Sequence, residues 1–182
     1  MIVETIFSTI DEAGKPNFAP MGIEWGKEFL TVRPFRSTQT CLNVLSTGYG
    51  VANLTDDILA YVQCALYDAV LPHFQAKAGP GVVFKETCSW REMTLISQAG
   101  TEDRAELYCR VVYDGRQKDF LGFRRASNAV IEATILATRM KLHDAETMAE
   151  WLSHYASIVD KTGDEIENQA FQMVHDYVRR GM

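Results

Sequence analysis

The most informative segment of this chain is Arg33-Pro-Phe-Arg-Ser-Thr-Gln-Thr-Cys-Leu-Asn-Val44. Residues 29–33 predict a strand that turns at the proline, and residues 39–45 predict a short helix capped by Ser37 or Thr38. Two arginines and three hydroxyl residues thus gather in eight positions at a helix entrance, where backbone N–H groups and guanidinium groups can hold a phosphate. An ordinary strand–turn–helix with solvated arginines fits the same pattern, and spacing alone leaves both interpretations open.

The residues around this stretch predict an antiparallel barrel. Three runs joined by short turns form a predicted meander of strands at residues 2–10, 17–25 and 28–32. Further strands are predicted at residues 49–54, 82–97 and 105–113, with a helix at 58–67 and an irregular segment at 72–80. Six or seven antiparallel strands with only short helices between them favour a barrel over an open sheet.

The last third of the chain predicts helices. Residues 126–142 contain no Gly or Pro and predict one helix; Asp144 can cap a second at residues 145–158, and a third is predicted at 165–179. We expect a split-barrel domain over residues 1–123 and C-terminal helices over 124–182 that pack on it.

A second arginine cluster precedes the first of these helices. Arg124 and Arg125 stand before Ser127 and Asn128, either of which can be an N-cap. This repeats the combination of cation, hydroxyl and helix start seen at residues 33–40, and favours a second anion site. The alternative is a surface helix entrance whose arginines pair with carboxylates such as Glu132, a contact that contributes little to stability.

Composition narrows the function classes. The 182 residues are 47% apolar, and the net charge of -6 argues against nucleic acid and anionic membrane surfaces as partners. No apolar run is long enough to cross a bilayer, and the N-terminus lacks the layout of a signal peptide, so we expect a cytoplasmic protein. The four cysteines have no CxxC spacing and predict reduced, buried thiols; the scattered histidines predict no metal site.

Four motifs carry a resemblance to a known family: Asn17-Phe-Ala-Pro-Met-Gly22, Val32-Arg-Pro-Phe-Arg-Ser-Thr38, Val51-Ala-Asn-Leu-Thr-Asp-Asp57 and Arg125-Ala-x-x-Ala-Val-Ile-Glu-Ala133. The chain resembles the FMN-binding split-barrel superfamily and, more closely, its archaeal and bacterial DUF447 family. The likeness covers most of the chain, including the helical third. This family implies a cofactor but no settled reaction.

The resemblance implies FMN bound at or near the interface of a homodimer. It assigns the phosphate to Arg33, Arg36, Ser37, Thr38 and Thr40, with Gln39 as a weaker candidate in the same turn. It places the isoalloxazine beside the backbone of Met21 and Gly22, and Asn53 where the following strand returns to the cofactor. We further expect Arg124 and Arg125 to approach the flavin from the same or the partner subunit.

The resulting functional hypothesis is a flavoprotein oxidoreductase, similar to flavin reductases, that acts on an unknown small acceptor. Because the flavin carries the electrons, no catalytic acid or nucleophile is predicted. A non-catalytic module that binds FMN or a related phosphorylated heteroaromatic such as a pterin is the alternative, and a structural dimer without cofactor is a third. The sequence contains no GxGxxG fingerprint, so it does not indicate an electron donor.

Overall fold

A computed structural model describes residues 1–181 of the chain. The strands are β1 Ile2–Ile10, β2 Pro16–Trp25, β3 Phe29–Val32, β4 Tyr49–Leu54, β5 His73–Gln75, β6 Val82–Phe84, β7 Ser89–Gly100 and β8 Ala105–Arg116. The helices are α1 Gln39–Thr47, α2 Ile58–Tyr67, α3 Arg125–Thr138, α4 Ala145–Thr162 and α5 Glu165–Gly181, with a 3-10 turn at Met140–Leu142.

Six strands form a closed antiparallel barrel in the order β1-β2-β3-β8-β7-β4, with β4 pairing back onto β1. The predicted barrel and its opening three-stranded meander are therefore confirmed. The core is apolar, as the alternation in the strands requires, and includes Phe7, Ile23, Leu30 and Leu107. Helix α1 belongs to this core, because its Cys41 and Val44 side chains pack in the same cluster. The entrance of α1 is thereby fixed to the barrel.

Strand β2 is only partly paired on one of its two sides. Strand β2 pairs with β1 along its whole length, but β3 pairs with β2 only at Ile23, Glu24 and Trp25. After Val32 the chain leaves the sheet for the turn that leads into α1. Within residues 1–181, the stretch 16–22 of β2 therefore has a strand partner on one side only. Its other side carries backbone donors and acceptors that no strand uses.

A fully buried carboxylate holds the loop between β5 and β6. Glu92 on β7 accepts hydrogen bonds from the backbone N–H of Lys77 (2.9 Å) and Ala78 (2.6 Å). It also accepts from the Tyr49 hydroxyl and from Trp90 Nε1 (3.0 Å). Burial disfavours its charged form, but the donors outweigh burial and lower the pKa of Glu92.

The predicted strand at residues 82–97 is two strands. β6 pairs with β5 outside the barrel, whereas β7 pairs with β4 and β8 within it. The break is a turn whose buried Thr87 shares its hydroxyl proton between the carbonyls of Leu54 and Ser89, both at 2.8 Å. No Gly, Pro or Asn marks this turn in the sequence, so the prediction was wrong here.

By contact density the chain has two compact units. The first comprises Met1–Asp56 and Ala69–Phe120 and holds all eight strands; the second comprises Asp57–Asp68 and the described residues from Leu121 onward. The predicted division at residue 123 differs from this in one element, α2, which groups with the helices. Asp57 caps α2 by accepting from Ala60 N (2.9 Å), and Asp144 caps α4 as predicted.

Three further expectations concern the described residues. The four cysteines are all buried, as predicted, and no disulfide joins them in residues 1–181. None of the described helices is long and apolar enough to cross a membrane. No group of three or more potential metal ligands occurs among the described residues.

Candidate functional site

Arg36 lies in the turn between β3 and α1, held against the β7–β8 hairpin. Its Nε donates to the carbonyl of Thr101 (2.8 Å), its Nη2 to that of Ala99 (3.1 Å) and its Nη1 to Gln98 Oε1 (3.5 Å). Its backbone N–H donates to the carbonyl of Asp103 (2.9 Å). All these acceptors are neutral oxygens, and no carboxylate of the described residues forms an ion pair with Arg36. The guanidinium is therefore oriented while its positive charge remains uncompensated.

Thr38 begins helix α1, one of the two caps that the sequence allows. Its hydroxyl accepts from the backbone N–H of Cys41 (3.3 Å) and donates to the carbonyl of Phe35 (2.7 Å). Both capacities of this hydroxyl are thus used within the turn. The neighbouring Ser37 is exposed, and its hydroxyl forms no hydrogen bond with the part of the chain that the structure describes. Ser37 is consequently the hydroxyl of this turn that remains available to a ligand.

The first turn of α1 also presents backbone donors. The N–H groups of Gln39 and Thr40 precede the first intrahelical hydrogen bonds and have no partner within the helix. The charge of Arg36 reaches this turn, because it counteracts the rise that burial causes in the pKa of the Cys41 thiol. The charge of Arg36 and the backbone N–H groups at the start of α1 therefore attract an anion to the same place.

Arg33 is held differently from Arg36. Its Nη1 lies 2.8 Å from Glu24 Oε2 and its Nε lies 2.9 Å from Glu106 Oε2. The hydrogen bonds that Arg33 donates to these two carboxylates, the larger effect coming from Glu106, raise its pKa. Its charge is compensated twice over, so in this arrangement Arg33 contributes little to the attraction of an anion.

Arg104 is a cation at the same turn that sequence reasoning missed. Its guanidinium carbon lies 4.7 Å from the centre of the exposed Phe35 ring, and its Nε donates to the carbonyl of Arg33 (3.2 Å). The only signal in the sequence was the polar Glu102-Asp-Arg turn. An isolated antiparallel β-bridge between Phe35 and Arg104 brings the turn at residues 102–104 to the predicted site. Local sequence patterns do not reveal such a long-range backbone pairing.

Thr40 is buried against the barrel, whereas Gln39 is exposed and bonds back to its own helix. The buried Thr40 hydroxyl accepts from Asn17 Nδ2 (3.1 Å), and Gln39 Nε2 donates to Asn43 Oδ1 (2.6 Å). Asn43 was not predicted as part of the site, although it belongs to the segment of residues 33–44 that suggested the site. It donates to the hydroxyl of Thr9 on β1 (3.0 Å), which ties this set to the barrel wall.

Asn53 is fully buried and its side chain is used inside the barrel. Nδ2 donates to the Ile6 carbonyl and to the Ser8 hydroxyl, both at 2.9 Å, and Oδ1 accepts from the backbone N–H of Phe84 at 2.9 Å. These bonds join β1, β4 and β6. They leave no exposed polar atom of Asn53 for a ligand, so we assign this side chain a structural role.

Met21 and Gly22 lie on the half-paired stretch of β2. The Met21 carbonyl accepts from Thr5 Oγ1 (3.0 Å), and its side chain packs against the barrel core. Gly22 is exposed, and a Cβ added there would lie 2.9 Å from Glu4 Oε1. That oxygen is the end of a flexible side chain on the paired strand β1, so the contact does not by itself require glycine, and the place of Gly22 beside the ring stays a prediction.

Arg124 and Arg125 open α3 in the helical unit. Neither Ser127 nor Asn128 is the N-cap: the helix begins at Arg125, and Arg124 occupies the cap position without a side-chain cap bond. Instead, Arg124 donates through Nε to Ser127 Oγ (3.0 Å) and forms an ion pair with the buried Glu167 on α5. Its carboxylate partner is thus Glu167 and not Glu132. Arg125 is exposed, and its approach to a cofactor stays a prediction.

The donor set at the β3–α1 turn fits the phosphate of FMN. A phosphate needs a cation and several N–H or O–H donors converging from one side. The Arg36 guanidinium, the Ser37 hydroxyl and the N–H groups at the start of α1 supply these. The half-paired edge of β2 adds backbone donors and acceptors of the kind that the ring's polar atoms require.

Comparison with known proteins finds matching family models and similar crystal structures. A family model described as the N-terminal domain of a protein of unknown function, DUF447, matches residues 3–118, and a second DUF447 model matches residues 124–176. The crystal structure of an FMN-bound DUF447 protein from Methanosarcina mazei superposes with a TM-score of 0.84. It is 29% identical, over 97% of this chain and 94% of that chain.

More distant structures share the barrel. Flavoredoxin from Methanosarcina acetivorans gives a TM-score of 0.56 at 13% identity, covering 66% of this chain and 72% of its own. An FMN-binding protein from Thermus thermophilus gives 0.56 at 17% identity, covering 63% and 70%. At such identities the likeness establishes the fold alone, which is that of the FMN-binding split barrels. Because the two family models together span most of its length, the chain belongs to the DUF447 family.

Proposed function

We propose that this protein binds FMN and uses it as an oxidoreductase, similar to flavin reductases, with a small acceptor. The Methanosarcina mazei protein of the same family is FMN-bound, which supports the FMN prediction for this chain. In the proposal, Arg36, Ser37 and the start of α1 hold the phosphate, while the β2 edge at Met21 and Gly22 lies along the ring.

The observation that carries this proposal is the uncompensated charge of Arg36. A surface arginine without a binding role is usually mobile or paired with a carboxylate, whereas the Arg36 guanidinium is fixed by neutral oxygens of the β7–β8 hairpin. Such an arrangement keeps the charge available and removes the conformational freedom that binding would otherwise have to restrict. It suits a dianionic ligand in a chain whose net charge is -6.

The chain's own residues account for binding and orientation rather than for a chemical step. Arg36 and Ser37 fix the phosphate, which sets the position of the ring along β2. The half-paired backbone of β2 orients the ring's polar edge and leaves its flat face open to a substrate. FMN supplies the electron-transfer chemistry when it is bound, so the protein needs no acid, base or nucleophile of its own.

Replacing Arg36 with alanine tests the phosphate assignment. Each charge-assisted hydrogen bond contributes about 1.5–3 kcal/mol, so R36A should weaken FMN binding about ten- to a hundredfold. Riboflavin, which lacks the phosphate, should bind nearly as before. Flavin fluorescence quenching measures both affinities. R110A removes an exposed charge elsewhere on the barrel and should leave both unchanged, whereas Arg36→Lys, which keeps the charge, should recover part of the loss.

Two outcomes would contradict the proposal at different levels. If R36A weakens FMN and riboflavin equally, Arg36 does not bind the phosphate. If FMN binds but neither reduced nicotinamide nor dithionite-coupled acceptors give turnover under anaerobic conditions, the oxidoreductase part fails and a non-catalytic FMN-binding module is favoured. Purified protein without a flavin spectrum and without affinity for added FMN would overturn the proposed function as a whole.

A further inference from the structure

A chain of hydrogen-bonded polar groups, of which Thr9, Thr40 and Asn43 are buried, connects the entrance of α1 to the barrel wall. Asn17 on β2 lies opposite Thr9 on β1 in the strand register. Its Nδ2 donates to Thr40 Oγ1 (3.1 Å) and lies 3.5 Å from Thr9 Oγ1, which also accepts from Asn43 Nδ2 (3.0 Å). Gln39 donates to the other end of the Asn43 amide. Five polar side chains thus join β1, β2 and the first turn of α1.

This polar chain is not needed to seat the helix. The apolar side chains of Cys41 and Val44 already pack into the barrel core. Burial of hydroxyl and amide groups gains little net stability, because their bonds to water are lost on folding. What buried polar networks do supply is a unique orientation of the groups that they connect. The group at the end of this network, Thr40, lies at the site proposed for the phosphate.

The direction of the hydrogen bonds determines what Thr40 can do. The Asn17 amide nitrogen is a donor only, so Thr40 Oγ1 must be the acceptor in their contact. The hydroxyl proton of Thr40 is thereby directed away from Asn17 and remains available as a donor. Thr40 also carries one of the backbone N–H groups that lack an intrahelical partner. A residue with these two donors suits an anion and not a cation.

We infer that Asn17 is a positioning residue of the phosphate site, acting through Thr40, which it holds in a donor orientation toward the anion. This inference rests on the proposed binding of FMN. The inference also assigns a role to both ends of the Asn17-Phe-Ala-Pro-Met-Gly22 motif. In it, Asn17 at one end orients a donor to the phosphate, while Met21 and Gly22 at the other end lie along the ring. Asn43, on α1, supports the same orientation through its bond to Thr9 on β1.

A double-mutant cycle tests the inference. N17A and Thr40→Val are prepared singly and together, and the dissociation constants for FMN and riboflavin are measured by fluorescence quenching. Each single variant should weaken FMN binding about ten- to a hundredfold, the value of one charge-assisted hydrogen bond, and change riboflavin binding less than twofold. The double variant should be no worse than T40V alone, because Asn17 acts only through that hydroxyl. Thr40→Ser should bind FMN nearly as the unmodified protein does.

The matched control is Thr87→Val. Thr87 is a fully buried threonine whose hydroxyl also makes two hydrogen bonds, in the turn between β6 and β7. It should lower the midpoint of urea unfolding without changing the ratio of FMN to riboflavin affinity. If N17A fails to fold, comparison of T40V with T40S decides whether the hydroxyl is a donor to the phosphate.

Three results would overturn the inference. Equal losses for FMN and riboflavin in N17A and T40V would reduce the network to a structural role while leaving the proposed function intact. Multiplied losses in the double variant would mean that Asn17 does not act through Thr40. Absence of any flavin binding by the unmodified protein would remove the proposed function, and with it the site that Asn17 is inferred to position.

Discussion

Replacing Glu92 with glutamine tests how much one buried carboxylate contributes to the stability of the barrel. The carboxylate is fully buried, and its two oxygens accept from four residues: Tyr49, Lys77, Ala78 and Trp90. All four are donors, so the site suits an anion with no donor of its own. Glutamine is nearly the same size and shape, which isolates the electrostatic and hydrogen-bonding effect from the effect of a cavity.

The magnitude follows from the donors that glutamine cannot satisfy. If the new NH₂ group takes the position of Oε1, it faces Trp90 Nε1–H, a donor opposite a donor. If it takes the position of Oε2, it faces the Tyr49 hydroxyl and the Ala78 N–H instead. The loss of one charge-assisted bond and the burial of an unsatisfied donor cost about 1–3 kcal/mol each. Because the variant no longer buries a charge, part of this is offset, and we expect a net loss of about 2–4 kcal/mol.

Urea unfolding of the unmodified protein and E92Q, followed by tryptophan fluorescence, measures this loss. The pH dependence has a definite sign. The folded-state pKa of Glu92 lies below its ordinary value of 4.5, so its contribution is fully present above pH 4.5 and disappears as the pH falls through the lowered folded value. The difference between the two proteins should therefore be constant from pH 7 to about pH 5 and shrink in more acidic solution. A loss below about 1 kcal/mol at pH 7 would refute the argument, since it would fall short of a single unmet donor.

Two further predictions concern the helices and the assembly. E167Q should destabilise the protein by about 2–4 kcal/mol in urea unfolding, because it removes the buried negative charge to which Arg124 and the Ser127 hydroxyl (2.7 Å) both donate. E165Q, an exposed change in the same turn of α5, should alter stability by less than about 0.5 kcal/mol. In light scattering we expect a dimer, a particle near twice 20.5 kDa. The apolar side chains of Leu121 and Phe123 are 74% and 99% exposed, and a symmetric dimer is the usual way to cover such a surface. A concentration-independent monomer that binds flavin would contradict this.

The elements of the fold were predictable where local signals agree. The alternating run at residues 2–10, the glycine-flanked strand at 49–54 and the Asp57-capped helix at 58–67 have the predicted bounds. Each combines a clear hydrophobic period with a turn or cap residue at its end. The prediction fails at Thr87, where a buried hydroxyl makes the turn in place of a glycine or proline, and at α3, where Arg124 rather than Ser127 precedes the helix. In both places long-range contacts override the local preference.

The candidate site was predictable as a segment but not as a set of roles. Residues 29–40 do form a strand, a turn and a capped helix entrance, as their composition indicates. Arg104 and Asn17 escaped prediction as site residues because they reach the turn through the sheet, from positions far away in the chain. Asn53, by contrast, was assigned from the resemblance and is enclosed by the barrel. A sequence shows which residue types lie near a turn, while the register of the sheet decides which of them face it.

The two arginines of the opening motif illustrate the same point for electrostatics. In sequence, Arg33 and Arg36 are equivalent cations three positions apart. In the fold, Arg33 faces the carboxylates of Glu24 and Glu106, whereas Arg36 faces backbone carbonyls and an amide of the β7–β8 hairpin. Neutral oxygens orient a guanidinium without cancelling its charge, so the local field at the start of α1 is set by Arg36. An acidic chain can thus present a positive site, because the pairing of individual charges, and not their sum, determines the potential that a phosphate meets.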